Sequence, residues 1–363
     1  MNILIFLVIL IVLVLVHEFG HFIVAKKSGI RVDEFGLGFP PRIFGKKFGG
    51  TIYSINALPF GGFVKIFGEN PADVAEGDLD RARSMVDKPK WIQAAVLAAG
   101  VSFNIIFAWI VISLGLAFGF PTVVDSVNDQ NVSNVHVVVS SVLEKSPAGA
   151  AGLKTGDIIV GLQDSTGTLS ESLTPDLVRT FITESKGPID ISYKRGTIVS
   201  DANITPTQGL VPGKLAIGIS MDLLGIIRLP IPQAFGEGAI RTVDLFKTVA
   251  VSIFNFAHDA FFGHADLTQV AGPVGMVGLV GDARDLGIPY LIFFAALLSI
   301  NLAVINLIPF PALDGGRLFI LFLEAIKGSP LPPKLVNAVN AVGFALLILL
   351  MLLVTFHDIA KFF

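Results

Sequence analysis

The stretch NILIFLVILIVLVLVHEFGHFIVA, residues 2–25, decides the fold. Its 24 residues exceed the roughly 20 apolar residues that a helix needs to cross a bilayer. Met1 and Asn2 bring no positive charge to its amino end, and no small-residue cleavage site follows it, so a removable signal peptide is not indicated. Ionisable residues cluster near its carboxyl end, where a discarded leader would not need them. We therefore predict a retained membrane-spanning helix over residues 1–25.

Three further apolar runs of spanning length follow, at about residues 91–120, 290–313 and 335–356. The composition agrees, because 53% of the residues are hydrophobic and 15% are charged, against about 25% charged in soluble domains. The net charge of −3, without a dense basic block, indicates no nucleic-acid partner. The chain has no cysteine, which excludes disulfides, thiolate metal sites and cysteine nucleophiles.

The distribution of Lys and Arg predicts the orientation. Residues 26–90 hold 11 of the 26 Lys and Arg residues, and the much longer stretch 121–289 holds another 11. Loops rich in Lys and Arg stay on the cytoplasmic side. This places the first loop in the cytoplasm and both chain ends outside.

The loop of residues 26–90 combines short β-prone pieces with a polar end. Strands are predicted at residues 32–35, 51–55 and 62–67, and residues 69–90 are predicted to form a surface linker. Apolar strands this close to the membrane can dip into it where helices shield their backbone groups.

Between the second and third spans, two different segments are predicted. Residues 134–222 show the alternation of β-strands, with a helix at 175–183, and predict a small soluble α+β domain. Residues 223–287 contain a helical pattern at 234–262 with charges among apolar positions, which predicts a membrane-surface helix, and then a Gly-rich stretch at 271–275.

The motif His17-Glu18-Phe19-Gly20-His21 carries the chemistry. Residues four apart on a helix lie about 40° apart around its axis, so both imidazoles face one point. Zinc binds imidazole nitrogen, and the glutamate beside the first ligand can act as a general base toward the attacking water. The alternative is an ion-paired cluster at a helix end, which is costly within a membrane span.

A catalytic zinc site usually has three protein ligands, so a third must come from elsewhere. Asp314, in the stretch NLIPFPALDG of residues 306–315, is the candidate. It ends the third apolar run, where an unpaired carboxylate would be costly, and Pro309 and Pro311 break the helix just before it. The alternative is an ordinary Asp at a helix end.

These paired motifs resemble the site-2 proteases, and specifically the RseP-like bacterial regulated intramembrane zinc metalloproteases. The resemblance covers nearly the whole chain. It includes the two motifs above, and four further matches, which are Gly100-x-x-x-Asn104, Gly62-Phe63-Val64-Lys65, Gly272-Pro-Val-Gly275 and a PDZ-like pattern with Ser146-Pro-Ala148 and Gly152-Leu-x-x-Gly-Asp157. It implies an α-helical membrane protein with four transmembrane helices, a membrane-associated β-rich loop and an inserted α+β PDZ-like domain at 134–222.

The resemblance also implies roles. His17, His21 and Asp314 would bind Zn2+, and Glu18 would be the general base and later the proton donor. Asn306 and Asn104 would hold the substrate or polarise its carbonyl, while Gly62, Phe63, Val64 and Lys65 would pair with the unwound substrate as a strand. Some family members have two PDZ domains, whereas the length of this chain leaves room for one.

The implied partners are single-span membrane proteins, such as anti-sigma factors or remnant signal peptides, together with the lipid bilayer and peptide ends at the PDZ-like domain. The implied location is the bacterial inner membrane, with the active site toward the cytoplasm and the PDZ-like domain outside. Two alternatives stay open. One is a membrane scaffold with a structural zinc site, and the other is a metal transporter, although transporters often show internal repeats and none is apparent.

Overall fold

A computed structural model describes residues 1–69, 79–124, 132–143, 145–211, 213–263 and 271–360. The chain divides into two compact units. Unit 1 comprises Met1–Ile112, Gly238–Val280 and Phe294–Phe363, and unit 2 comprises Ser113–Glu237 and Gly281–Phe293.

The helices of the described residues, numbered along the chain, are α1 Asn2–Lys27, α2 Lys90–Phe118, α3 Pro147–Ala150, α4 Pro175–Glu184, α5 Ile231–Phe261, α6 Pro273–Leu286, α7 Ile288–Leu307, α8 Asp314–Lys327 and α9 Pro333–Ala360. A 3₁₀ turn spans Arg81–Arg83. The strands are β1 Val32–Phe48, β2 Thr51–Ile66, β3 Phe120–Val123, β4 Val132–Val142, β5 Ile158–Gln163, β6 Thr168–Leu169, β7 Ile189–Arg195, β8 Ile198–Ile204, β9 Thr207–Val211, β10 Lys214–Ala216 and β11 Ile219–Ile227.

Four helices, α1, α2, α7 and α9, are long and apolar enough to cross a membrane, as the sequence predicted. The prediction for the third span was wrong at its end, because α7 stops at Leu307 rather than at 313. Pro309 and Pro311 explain the difference, since proline lacks the amide that a helix interior requires. Residues 308–313 instead form a turn that leads directly into α8.

Strands β1 and β2 bend so that they build a small sheet from four segments. The register gives the order of the four segments across the sheet. Segment 62–66 pairs with 32–37, segment 32–37 also pairs with 51–55, and segment 51–55 also pairs with 44–48. The three predicted strands are therefore present but belong to two longer strands. Segment 62–66 lies at one edge, and no strand among the described residues pairs with its other side.

The prediction of a surface linker at residues 69–90 agrees with residues 79–90, most of which are exposed, although Ser84 and Met85 are buried, and residues 70–78 lie outside the described residues. Met85 is buried and its amide donates to Phe67 O at 2.9 Å. Arg31 stacks on the Phe67 ring at 3.6 Å from its centroid and pairs with Asp80 at 2.7 Å. The ion pair of Asp80 and the hydrogen bond of the Met85 amide hold this segment against residues 31 and 67 at the end of the sheet.

Unit 2 contains an antiparallel sheet with strand order β3-β11-β4-β5-β7-β8, with β6 paired to β5. Alternate residues of β4 and β7, such as Val137, Val139, Ile189 and Ile191, are fully buried and build the core with α4. The predicted helix at 175–183 matches α4. The sheet extends beyond residues 134–222 at both ends. Strand β3 begins at Phe120, and β11 continues through Leu223 and Leu224 to Ile227.

The sequence patterns missed two helices. The Gly-rich stretch at 271–275 leads into α6, and its glycines make room for Asp358 of α9. Asp358 is 2% exposed and accepts a hydrogen bond from Gly275 N at 2.8 Å, and a Cβ on Gly272 would lie 2.7 Å from its Oδ2. The other missed helix, α8, is a short amphipathic helix that lies between two apolar runs in the sequence.

Candidate metal centre

Helix α1 presents its two histidines on its buried side. Leu13, His17, His21 and Ala25 are spaced four residues apart, and all four are buried. Gly20 adds to this face, because a Cβ there would lie 2.5 Å from Ala99 O. Small residues let membrane helices approach closely, so Gly20 sets the short distance between α1 and α2.

Two glycines allow Asp314 to reach the histidines. A Cβ on Gly315 would lie 2.3 Å from Ile308 O, and one on Gly316 would lie 2.1 Å from Phe310 O. The segment after α7 therefore packs directly against the first residues of α8. The atoms that a Cβ would meet there belong to the backbone, which cannot move aside as a side chain can. Asn340 of α9 supports this turn by accepting a hydrogen bond from the Ala312 amide at 3.3 Å.

The three side chains bring one oxygen and two nitrogens together. His17 Nε2 lies 3.0 Å from Asp314 Oδ2, His21 Nε2 lies 3.2 Å from the same oxygen, and the two Nε2 atoms are 3.2 Å apart. Tetrahedral zinc with bonds of 2.0–2.1 Å separates its ligand atoms by about 3.3 Å. Both the geometry and the donor atoms therefore fit zinc with a fourth position open.

Helix α2 contacts both imidazoles through positions four residues apart. Val96 O lies 2.8 Å from His21 Nδ1, and Asn104 Nδ2 lies 3.2 Å from His17 Nδ1. Gly100 lies between them, and a Cβ there would be 2.4 Å from His21 Nε2. The Gly100-x-x-x-Asn104 pattern thus faces the histidines directly.

Glu18 lines the same cavity as the three ligand side chains, a space of about 440 Å³. Its carboxylate accepts a hydrogen bond from the Val64 backbone amide. Glu18 is not one of the three residues whose ligand atoms converge, so its carboxylate is available as a base in this cavity.

Of the four residues predicted to pair with substrate, Phe63 and Val64 line this cavity. Gly62 packs on α1, where a Cβ would lie 3.5 Å from Val14 Cγ1 and 3.7 Å from Glu18 Cγ. Lys65 is exposed and does not line the cavity. The free edge of the small sheet therefore runs beside Glu18.

The two asparagines lie in different surroundings. Asn306 is half-buried near the end of α7, and its amide donates to Leu302 O at 3.0 Å in its own helix. Asn104 is fully buried and contacts His17. Neither lines the cavity.

Sequence reasoning missed some residues of the site. Arg317 lines the cavity three residues after Asp314 and forms an ion pair with Glu69, which also lines it. The spacing could have signalled Arg317, since residues three apart share a helix face. The role of Val96 left no signal, because a backbone carbonyl is present at every residue.

The model of peptidase family M50 matches residues 5–350. The chain belongs to this family. A Clostridium perfringens protein, whose name marks it as a candidate zinc metalloprotease, is 37% identical over 96% of this M50 peptidase and 95% of its own length. The zinc metalloprotease RasP of Shouchella clausii is 31% identical over 99% and 98% of the two chains. The regulator of sigma-W protease RasP of Bacillus subtilis is 29% identical with the same coverage.

Unit 2 of this M50 peptidase has a cavity of its own, of about 540 Å³. It is lined by Arg179 and Ile182 of α4 and by Ile219 and Met221 at the start of β11. Gly218, with φ +83°, forms the tight turn into β11 at one end of this groove. A groove between a strand and a helix can accept an extended peptide.

Proposed function

We propose that this chain is an intramembrane zinc metalloendopeptidase of the site-2 protease type, which hydrolyses peptide bonds within or near transmembrane segments. One observation carries the proposal. The His17, His21 and Asp314 ligand atoms form a triangle of zinc-binding size, and Glu18 shares their cavity. Helix α1, which supplies three of these four residues, is long and apolar enough to span a membrane. The relatives named as zinc metalloproteases agree with this proposal.

His17, His21 and Asp314 would hold the zinc, and bound zinc lowers the pKa of water and polarises a carbonyl. Glu18 takes the proton from the attacking water and then passes it to the leaving nitrogen. The buried faces of α1 and α2 keep the ligands in a fixed position, so little reorganisation is needed during the reaction.

The edge segment 62–66 would hold the substrate as an extended strand. A transmembrane helix conceals its peptide bonds, so it must unwind before cleavage, and strand addition compensates the freed backbone groups. The Val64 amide bonds to Glu18 and therefore points away from segment 32–37. Backbone direction alternates along a strand, so the amides of Gly62 and Ile66 point the same way. Asn306 stays in this proposal as a substrate contact, since α7 ends just after it, close in sequence to Asp314.

Gly62→Pro should weaken substrate use without loss of zinc. Proline removes an outward amide that Glu18 does not use and leaves the inward hydrogen bonds of the sheet intact. We expect the kcat/KM for a membrane-embedded substrate to fall about fivefold, in line with the roughly 1 kcal/mol of one hydrogen bond. Gly62→Ala, which adds a Cβ but keeps the amide, is the control. Equal kinetics for the two variants would contradict strand addition at this edge.

The remaining parts of the proposal concern location. The sheet of β1 and β2 would enter the membrane, which its exposed side chains Ile43, Phe44 and Phe48 support. Residues 134–222 of unit 2 would be a single PDZ-like domain outside the membrane whose groove binds peptide ends or excludes bulky substrates. The excess of Lys and Arg in residues 26–90 supports an active site toward the cytoplasm.

The proposed setting is the bacterial inner membrane, with single-span substrates such as anti-sigma factors or remnant signal peptides. One relative is named a regulator of sigma-W protease. This name supports the anti-sigma class, because such factors release a sigma factor when they are cut.

Removal of metal tests the proposal. The full chain in lipid vesicles, together with a single-span substrate, should cleave that substrate, lose activity on treatment with a zinc chelator, and regain it when zinc is added. The reason is that His17, His21 and Asp314 leave the fourth zinc position to the reaction. The measurement is product formation followed by mass spectrometry.

Two results would contradict the proposal. Cleavage unaffected by complete metal removal would exclude the zinc mechanism. Tight zinc binding without cleavage of any membrane-embedded substrate would favour the scaffold with a structural zinc site.

A further inference from the structure

We propose that Asn104 is a positioning residue that holds the His17 imidazole with Nδ1–H bonded to the Asn104 side-chain oxygen, which leaves Nε2 free for the metal. This inference rests on the proposed zinc site and deepens it. It replaces the role of substrate contact that the sequence suggested for Asn104.

Asn104 has the surroundings of a structural support rather than of a substrate contact. Its exposure is 0%, and it is not among the residues that line the cavity. Its backbone oxygen accepts a hydrogen bond of 2.9 Å from Ser299 Oγ of α7, which is also fully buried. Asn104 thus connects α1, which carries His17, with α7 through α2.

The two orientations of the Asn104 amide differ in what they allow His17 to do. With Nδ2 toward His17 Nδ1, at 3.2 Å, the imidazole must accept there and carry its proton on Nε2. That proton would point at Asp314 Oδ2 and His21 Nε2, where the metal would sit.

A rotation of the amide by 180° places Oδ1 at His17 Nδ1 instead. Oxygen and nitrogen of an amide have nearly the same size, so the rotation needs no additional space. His17 then donates from Nδ1, and Nε2 presents its lone pair. Ligand histidines in metal sites usually donate their other ring nitrogen to such an acceptor, which fixes the tautomer.

His21 already shows the same arrangement. Its Nδ1 lies 2.8 Å from Val96 O, an atom that can only accept, so the proton is on Nδ1 and Nε2 is free. Val96 and Asn104 lie eight residues apart on one face of α2, with Gly100 between them leaving room for both rings. Helix α2 therefore offers one acceptor to each histidine.

The test compares Asn104→Leu with Asn104→Asp in the full chain. Leucine fills the site but offers no acceptor, whereas a carboxylate keeps one. Asn301→Leu on α7 is the matched control, since its amide donates to Leu297 O of its own helix. Zinc affinity is measured by competition with a chelator, and the Co2+ form gives an absorption spectrum that reports ligand geometry without any assay of activity.

We expect Asn104→Leu to lose about 10- to 100-fold in zinc affinity and to change the Co2+ spectrum. We expect Asn104→Asp and Asn301→Leu to stay close to the wild type in both measurements. Circular dichroism and thermal unfolding check that each variant is folded, and Asn104→Asp still tests the acceptor if the leucine variant is not.

An unchanged zinc affinity in a folded Asn104→Leu would overturn the proposal. A loss in Asn104→Asp as large as in Asn104→Leu would also overturn it, because the oxygen acceptor would then not be what matters. If the wild type binds no zinc, the metal centre itself fails. If the wild type binds zinc and Asn104→Leu does too, only the role of Asn104 fails.

Discussion

Gly100→Ala should abolish zinc binding and, with it, proteolysis. The new Cβ would lie 2.4 Å from His21 Nε2 and 2.6 Å from His17 Cε1. Real Cβ atoms do not approach other atoms this closely, so one or both imidazoles must leave the metal position. Because His17 and His21 are buried between helices, they have little room to compensate. Metal content of the purified protein, measured by atomic emission, checks the result.

Gly278→Ala is the matched control for this substitution. Gly278 is an exposed residue within α6, and a Cβ there would have no atom within 4 Å. Alanine is favoured over glycine in a helix by about 1 kcal/mol, so this variant should keep its zinc and unfold no earlier than the wild type. A Gly100→Ala protein with one zinc and normal activity would contradict the placement of α2 against the histidines.

Glu18→Gln should lose hydrolysis while it keeps zinc. Glutamine has the size of glutamate and can still accept from the Val64 amide, but it cannot take a proton from water. General acid–base groups contribute about 10²- to 10⁴-fold to a rate, and we expect a fall in kcat of that size. Single-turnover cleavage in vesicles, alongside metal analysis of the same sample, separates the two properties.

Glu171→Gln, at an exposed position in unit 2, controls for the loss of one negative charge. It should cleave as the wild type does. Equal cleavage by Glu18→Gln and the wild type, with zinc present in both, would exclude Glu18 as the base.

The sequence predicted those features that depend on residue type and spacing. The apolar runs predicted the four long apolar helices of the described residues, since about 20 consecutive apolar residues are typical of a membrane-spanning helix. The four-residue spacing of His17 and His21 predicted that both rings face one point, and their Nε2 atoms lie 3.2 Å apart. An unpaired carboxylate at the end of an apolar run is costly, which predicted a partner for Asp314, and His17 is such a partner.

The features that the sequence did not predict depend on close contacts between distant segments. Gly315 and Gly316 are needed because residues 308–310 fold back onto them, and no local pattern shows this. The motif containing Gly100 was noted, but its contact with both imidazoles was not predicted, and Val96 acts through a backbone oxygen that every residue has. Helix α8 was missed because it follows an apolar helix after only a short turn.

The sequence also suggested a different environment for Asn104 from the one the fold provides. An asparagine within a spanning segment indicates a functional contact, but it does not say with what. Only the packing of α1 on α2 places it at His17 Nδ1 rather than at the cavity.

X-ray absorption at the zinc edge of the full chain tests the central claim most directly. We predict one zinc per chain, bound by two imidazole nitrogens and by oxygen ligands at about 2.0–2.2 Å, with the carboxylate contribution absent in Asp314→Ala. Zinc bound without imidazole, or an identical spectrum for the wild type and Asp314→Ala, would contradict a metal centre built from His17, His21 and Asp314.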